Sequence, residues 1–232
     1  MSESTAQLLR NIIAFKALPE ASLNEIARYS EQRLYEPEQT VIAYGEQSTT
    51  VFFLLSGAVR ATMFTQQGRE ISYQDLGVGE MFGELAAIDH LPRSTSVIAR
   101  KQSRLLLVPG DFFLKLIATH PEIGQATLCK LAGVVRFLCD RVYNFGALDV
   151  RSRVRAELCR LAELSTESGK DIVGAIEIRN MPKHQELANR LATHREAVSR
   201  ELSALEKSGL IKKGRGSLQV LDLDALRSSY EG

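Results

Sequence analysis

Two short stretches of this 232-residue chain carry side chains whose types and spacing could do chemistry. In residues 79–97 (GEMFGELAAIDHLPRSTSV), Glu84 and Arg93 bracket a segment, Leu85 to His90, that reads as one or two helical turns. Free amides at such a helix start suit an anion, and one adjacent arginine neutralises a singly charged phosphodiester. A carboxylate beside it accepts a sugar hydroxyl. On the residues alone, an exposed Arg93 paired with Glu84 across a loop is the alternative.

The second stretch, residues 182–209 (PKHQELANRLATHREAVSRELSALEKSG), reads as two helices joined by a tight turn. The first starts at Pro182, with Lys183 beside it, and turns Leu187 and Leu191 inward. The second opens on a capping box, Thr193-x-x-Glu196, and its inner face is Val198, Leu202 and Leu205. That is helix-turn-helix geometry. In it, the first residues of the second helix face base edges in a major groove; here these are His194, Arg195, Glu196, Ser199 and Arg200. Arginine matches the paired acceptors of guanine, and glutamate accepts from the amino group of cytosine. Residues 210–220, with Lys213, read as a basic β-hairpin wing. An ordinary helical hairpin with a solvated charged face is the competing reading, against which the cap, the wing and the arginine placement stand together.

Other elements must position these residues. Residues 5–30 read as short amphipathic helices turning at Leu18-Pro19-Glu20. From Gln32 to Val108, short Val-, Ile-, Phe- and Leu-rich segments broken by glycine suggest a small antiparallel barrel or sandwich, with Gln66-Gln67-Gly68 as a hairpin turn. After Pro121 the pattern predicts a helix of about 26 residues. Its apolar positions, Leu128, Leu131, Val135, Leu138, Val142 and Phe145, follow steps of three and four, a coiled-coil seam that points to a homodimer. Residues 146–150 form a candidate hinge, and residues 150–165 another amphipathic helix with Val154, Leu158 and Leu161 inward. The expected domains are therefore 1–120, the long helix 121–147, and 151–232.

Composition narrows the function. The net charge is +1, yet residues 179–215 hold nine Lys and Arg against four acids, so positive charge gathers on the helix-turn-helix segment. No apolar run reaches membrane-spanning length and no secretory pattern opens the chain, so a cytoplasmic protein without membrane contact is expected. Cys129, Cys139 and Cys159 are widely spaced, which predicts reduced, mostly buried thiols and no metal or iron–sulfur site. No nucleophile–base set, metal motif or Walker sequence is present, so an enzyme is not expected.

Phe82-Gly83-Glu84-Leu85-Ala86 followed by Arg93-Ser94 resembles the phosphate-binding cassette of cyclic-nucleotide-binding domains. With Gly146-Ala147-Leu148-Asp149-Val150 and Arg195-Glu196-Ala197-Val198-Ser199-Arg200, the chain resembles the cyclic-nucleotide-responsive branch of the Crp/Fnr transcription regulators from about residue 8 to 225. The resemblance implies an α+β fold: an N-terminal jelly-roll-like antiparallel β-barrel, a long dimerisation helix and a C-terminal winged helix-turn-helix. It implies that Arg93 and Ser94 hold a cyclic phosphate with backbone help from Gly83 and Leu85, while Glu84 binds the ribose 2′-hydroxyl. Arg195, Glu196 and Arg200 would read a palindromic GTGA-like site in double-stranded DNA, with RNA polymerase as a further partner. The chain departs from the pattern where cAMP-responsive members place two adjacent hydroxyl residues against adenine, because Leu138 and Cys139 stand there. Ser94 and Thr95 resemble cassettes in which a hydroxyl favours guanine. The implied effector is thus cAMP, cGMP or both, with no metal; a different effector or constitutive DNA binding is the alternative.

Overall fold

The computed structural model describes residues 8–65, 70–166, 174–179 and 181–231, so the expected Gln66-Gln67-Gly68 turn lies outside the described residues. It divides into two compact units, residues 1–135 and 136–232, with the boundary inside the long helix.

In the N-terminal unit, a 3-10 turn at Ile13–Phe15 leads to α1 (Glu20–Tyr29), whose start Pro19 sets. Eight strands follow: β1 (Glu31–Tyr35), β2 (Thr40–Ile42), β3 (Val51–Ser56), β4 (Val59–Phe64), β5 (Glu70–Leu76), β6 (Met81–Phe82), β7 (Ser96–Ala99) and β8 (Ser103–Val108). They form two antiparallel four-stranded sheets ordered β1-β8-β3-β6 and β2-β7-β4-β5. This interleaved order is that of a double-sheet jelly roll. Helix α2 (Glu84–Asp89) interrupts the strands between β6 and β7, and α3 (Gly110–Thr119) follows β8.

The strand β3 explains how the sheets and helices fit together. Its residues Val51 to Leu55 are all buried because both faces are covered. Phe52 and Leu54 join Val59, Val97, Leu105 and Leu107 in one core, while Val51, Phe53 and Leu55 join Phe15, Leu23, Phe113 and Ile123 in another. The period of two along the strand thus sorts alternate residues into two cores.

Helix α4 (Pro121–Ala147) runs through the unit boundary and carries two rows of residues. Ile123 and Thr127 are buried and Lys130, Val134, Phe137 and Arg141 are half-buried, a row that packs on the chain itself. The predicted seam is the other row: Leu128 is 64% exposed, Val135 59% and Val142 74%, with Leu138 and Phe145 also exposed and Leu131 half-buried. Cys129 and Cys139 lie exposed on the same helix and only Cys159 is buried. The expectation of mostly buried thiols fails because so much of the surface of α4 is left uncovered by its own chain.

In the C-terminal unit, Asp149 caps α5 (Val150–Ser165) by accepting from the Ser152 amide at 2.8 Å. That bond holds the Asp149 carboxyl below its usual pKa. Next come β9 (Ile176–Ile178), α6 (His184–Arg190), α7 (Arg195–Lys207), β10 (Ile211–Lys213), β11 (Leu218–Val220) and α8 (Leu223–Glu231). β10, β11 and β9 form a three-stranded antiparallel sheet beside the helices. Val154, Leu158, Leu187, Leu191, Val198, Leu202 and Leu205 share one core with Ile211, Val220 and Leu226.

Candidate functional site

The cassette is built where β6 ends. Gly83 takes a left-handed φ of +80°, and a Cβ there would stand 2.8 Å from Arg93 Nη1, so only glycine suits the position. This close turn starts α2 at Glu84 and brings the chain under the Arg93 side chain. Arg93 is 3% exposed and Glu84 4%. The expected alternative, an exposed Arg93 paired with Glu84, does not hold: both groups are buried and each has other partners. Arg93 donates from Nη1 to the Gly83 carbonyl at 2.7 Å, from Nη2 to the Thr50 carbonyl at 2.7 Å, and from Nε to Ser48 Oγ at 3.0 Å. Its guanidinium carbon also lies 5.8 Å from the centroid of the Phe52 ring.

All three of those acceptors are neutral. Burial pulls the Arg93 pKa below the usual guanidinium value, opposed only by the fields of Glu46 and Glu84. No carboxylate among the described residues pairs with Arg93. Glu84 is instead held by Lys130, whose Nζ lies 2.6 Å from Glu84 Oε1. Around this pair of buried charges, Leu85 and Ser94 are exposed and Thr95 is half-buried. The cassette therefore gathers Gly83, Glu84, Leu85, Arg93, Ser94 and Thr95 in one place. Leu138 and Cys139, both exposed, lie on the part of α4 that belongs to the C-terminal unit.

Three residues that sequence reasoning passed over complete the cassette. Ser48 and Thr50 fix Arg93 from more than 40 positions away, and Lys130 fixes Glu84 from the long helix. Lys130 had a signal: it falls three residues after Thr127 on the inner row of α4. Ser48 and Thr50 had none, because they lie in the segment just before β3 and only the tertiary fold brings that segment to Arg93.

The helix-turn-helix differs from its expected caps. Helix α6 starts at His184 after the N-cap Lys183, two residues later than the expected start at Pro182, and His194, not Thr193, is the N-cap of α7, with no side-chain cap bond. The turn explains the shift. Ala192 takes a φ of +49°, and the Thr193 amide then donates to the Ala188 carbonyl at 2.9 Å, which buries Thr193 inside the turn. Thr193 thus stands one residue before the cap, and Glu196 sits in the first turn, where a carboxylate favours the helix dipole.

On the outer face, Lys183, His194, Arg195, Glu196 and Arg200 are exposed, and no described residue pairs with Arg195, Glu196 or Arg200. Ser199 is half-buried, its Oγ 2.7 Å from His184 Nδ1. Burial, then Lys213 and Arg195, lowers the His184 pKa below the usual histidine value. Lys213 at the base of the wing pairs with Glu206 at 3.0 Å, which leaves Lys212 and Arg215 as the exposed cations there. Buried Glu201 accepts from Arg155 Nε at 2.7 Å, and Arg155 also donates to the Ser229 carbonyl, so one ion pair ties α7 to α5 and α8. The geometry presents unpaired cations and one acid on a rigid helix, as base reading requires. Among the described residues no cluster could hold a metal ion, and no helix is long and apolar enough to cross a membrane.

Comparison with known proteins matches each unit to a family. Residues 32–120 match the cyclic nucleotide-binding domain, and residues 152–229 match the Crp-like helix-turn-helix domain. A protein named Cyclic AMP receptor protein from Thermus thermophilus is 28% identical over 206 residues, covering 89% of this chain and 91% of its own length. The CRP-like cAMP-activated global transcriptional regulator of Mycobacterium tuberculosis is 29% identical, covering 81% of this chain and 82% of its own. Among solved structures, a CooA mutant from Carboxydothermus hydrogenoformans superposes with a TM-score of 0.77 over 88% of this chain and 89% of that one, at 19% identity.

Proposed function

Since the chain belongs to the Crp/Fnr family of transcription regulators and carries both a cyclic-nucleotide-binding domain and a Crp-like helix-turn-helix, we propose that it is a homodimer whose DNA binding is switched by cAMP, cGMP or both. The observation that carries this reading is Arg93. Buried charges in proteins are normally paired, because an isolated one is costly to desolvate. Here a buried guanidinium is held by three neutral acceptors alone, beside a carboxylate that retains acceptor capacity. A cyclic phosphate supplies the missing single negative charge, and its ribose 2′-hydroxyl supplies a donor for Glu84. Gly83 and Leu85 contribute backbone, and Ser94 and Thr95 stand beside the phosphate and base. The relatives described as cAMP receptor and cAMP-activated regulator support a cyclic nucleotide as the effector.

The exposed row of α4 supports the dimer. Leu128, Val135, Leu138, Val142 and Phe145 repeat at steps that pack helix against helix, and burying each such side chain contributes about 1.5–3 kcal/mol. Nucleotide bound at the cassette would reorient α4 near residues 145–150 and bring two α7 helices to the spacing of roughly 34 Å that successive major grooves require. Arg195, Glu196 and Arg200 then read a GTGA-like half-site, while Lys183, His194, Ser199 and Lys213 lie at its edges. RNA polymerase is the partner such a regulator addresses, and the cytoplasm is where it acts.

Calorimetric titration of cAMP and of cGMP into the full chain tests the effector, with one nucleotide per chain expected for at least one of them. No heat from either moves the effector elsewhere or leaves DNA binding constitutive. For the dimer, Val135→Glu combined with Val142→Glu should give a folded monomer by sedimentation. A dimer that survives both charges would remove the seam from the interface.

A further inference from the structure

The inner row of α4 ends its contact with the N-terminal core in a charged residue. Ile123 and Thr127 are fully covered, and one step further along the same face stands Lys130, where an apolar side chain would continue the packing. Its ammonium reaches Glu84 Oε1 at 2.6 Å, and the two side chains are 19% and 6% exposed. Burying both members of an ion pair costs several kcal/mol of desolvation, so such a pair is weak evidence for stability in its own right. Its position supplies a reason for it. Glu84 opens α2 directly after Gly83, whose carbonyl holds Arg93, so Lys130 connects the long helix to the two buried charges of the cassette.

We infer that Lys130 is a positioning residue that sets the cassette's selectivity for a nucleotide with a free 2′-hydroxyl. The inference rests on the cyclic-nucleotide reading above. An ionised carboxylate only accepts hydrogen bonds and offers about four sites for them. Lys130 occupies part of one oxygen, and no other side chain among the described residues reaches the carboxylate. Glu84 is thereby held inside the pocket as an acceptor with capacity left for one neutral donor. A sugar hydroxyl fits that vacancy; a deoxyribose carbon does not. The hydroxyl, being uncharged, cannot replace the ammonium, so the pair persists when ligand binds and Lys130 carries the occupancy of the sugar subsite onto α4. Without its cation, a buried carboxylate turns toward water and the acceptor leaves the subsite.

The test compares cAMP with 2′-deoxy-cAMP, or the cGMP pair if that nucleotide binds, by calorimetry on the full chain. Wild type should prefer the ribose form by about tenfold or more, the worth of a hydrogen bond to a charged group. In Lys130→Met the preference should collapse toward unity, and in Lys130→Arg it should return. Lys130→Gln, which keeps a donor without the charge, substitutes for the Met variant should that one fail to fold; there too the preference should be lost. A folded Met or Gln variant with the wild-type preference overturns the role of Lys130 and leaves a structural ion pair. A wild-type protein that binds both forms equally also overturns it, with nucleotide binding intact. Wild type that binds neither cAMP nor cGMP overturns the pocket reading itself and this inference with it.

Discussion

The cassette and the recognition helix use the same residue types in opposite ways. Arg93 and Glu84 are buried, and every hydrogen bond they make is to their own chain. Arg195, Glu196 and Arg200 on α7 stand in water, unpaired among the described residues. A pocket for a small ligand must hold its polar groups in place before the ligand arrives, since freezing them on binding would consume the affinity of so few contacts. A DNA-reading face gains from long-range charge and from many contacts, so its side chains stay hydrated until the duplex arrives. The same substitution should therefore have two costs at the cassette and one at the helix.

Arg93→Leu breaks this comparison most severely. It removes the buried cation proposed to hold a cyclic phosphate, and nucleotide affinity should fall by about two orders of magnitude. It also strands the Gly83 and Thr50 carbonyls and the Ser48 hydroxyl, so thermal or chemical unfolding should show a loss of about 1–3 kcal/mol. A variant as stable as wild type would mean that those three bonds contribute nothing to the fold.

Arg195→Ala should behave differently. Specific binding to a GTGA-type duplex should weaken by about 1–3 kcal/mol, with most binding to random DNA retained. Its unfolding midpoint should match wild type, because an exposed, unpaired side chain contributes little to stability. Equal weakening on both DNAs would make Arg195 a phosphate contact.

The smallest effect sharpens the comparison at its border, where His184 supports Ser199 from behind the reading face. Burial, with Lys213 and Arg195 nearby, lowers its pKa below the usual histidine value of 6.5. The folded state therefore binds this proton less readily than the unfolded one. Stability that is full above pH 6.5 should decline as pH falls from there through the lowered folded value. Melting temperatures between pH 7.5 and 5 should fall more steeply for wild type than for His184→Gln, and parallel curves would remove His184 from the pH dependence.

What could be read from the residues followed the range of the interactions. The seam of α4 and the inner faces of α6 and α7 depend on neighbours three and four residues apart. The α6 and α7 residues expected inward are buried in one core, and the seam residues form an exposed row on α4 except Leu131, which is half-buried. The turn between α6 and α7 was misjudged at its caps because Thr193 is drawn inward by the left-handed Ala192, a backbone choice that a Thr-x-x-Glu pattern does not reveal. The cassette motif announced Gly83, Glu84 and Arg93 but not their partners. Ser48 and Thr50 arrive through the jelly-roll order, in which β1 pairs with β8 and β3 with both β8 and β6, and no local pattern encodes that order.

The most direct test of the account is fluorescence anisotropy of a palindromic GTGA-type duplex titrated with the full chain alone, with cAMP and with cGMP. Tight, specific binding that appears only with one or both nucleotides is the predicted result. Equally tight binding in all three titrations would contradict it, leaving a DNA-binding protein whose buried Arg93 serves something other than a cyclic-nucleotide switch.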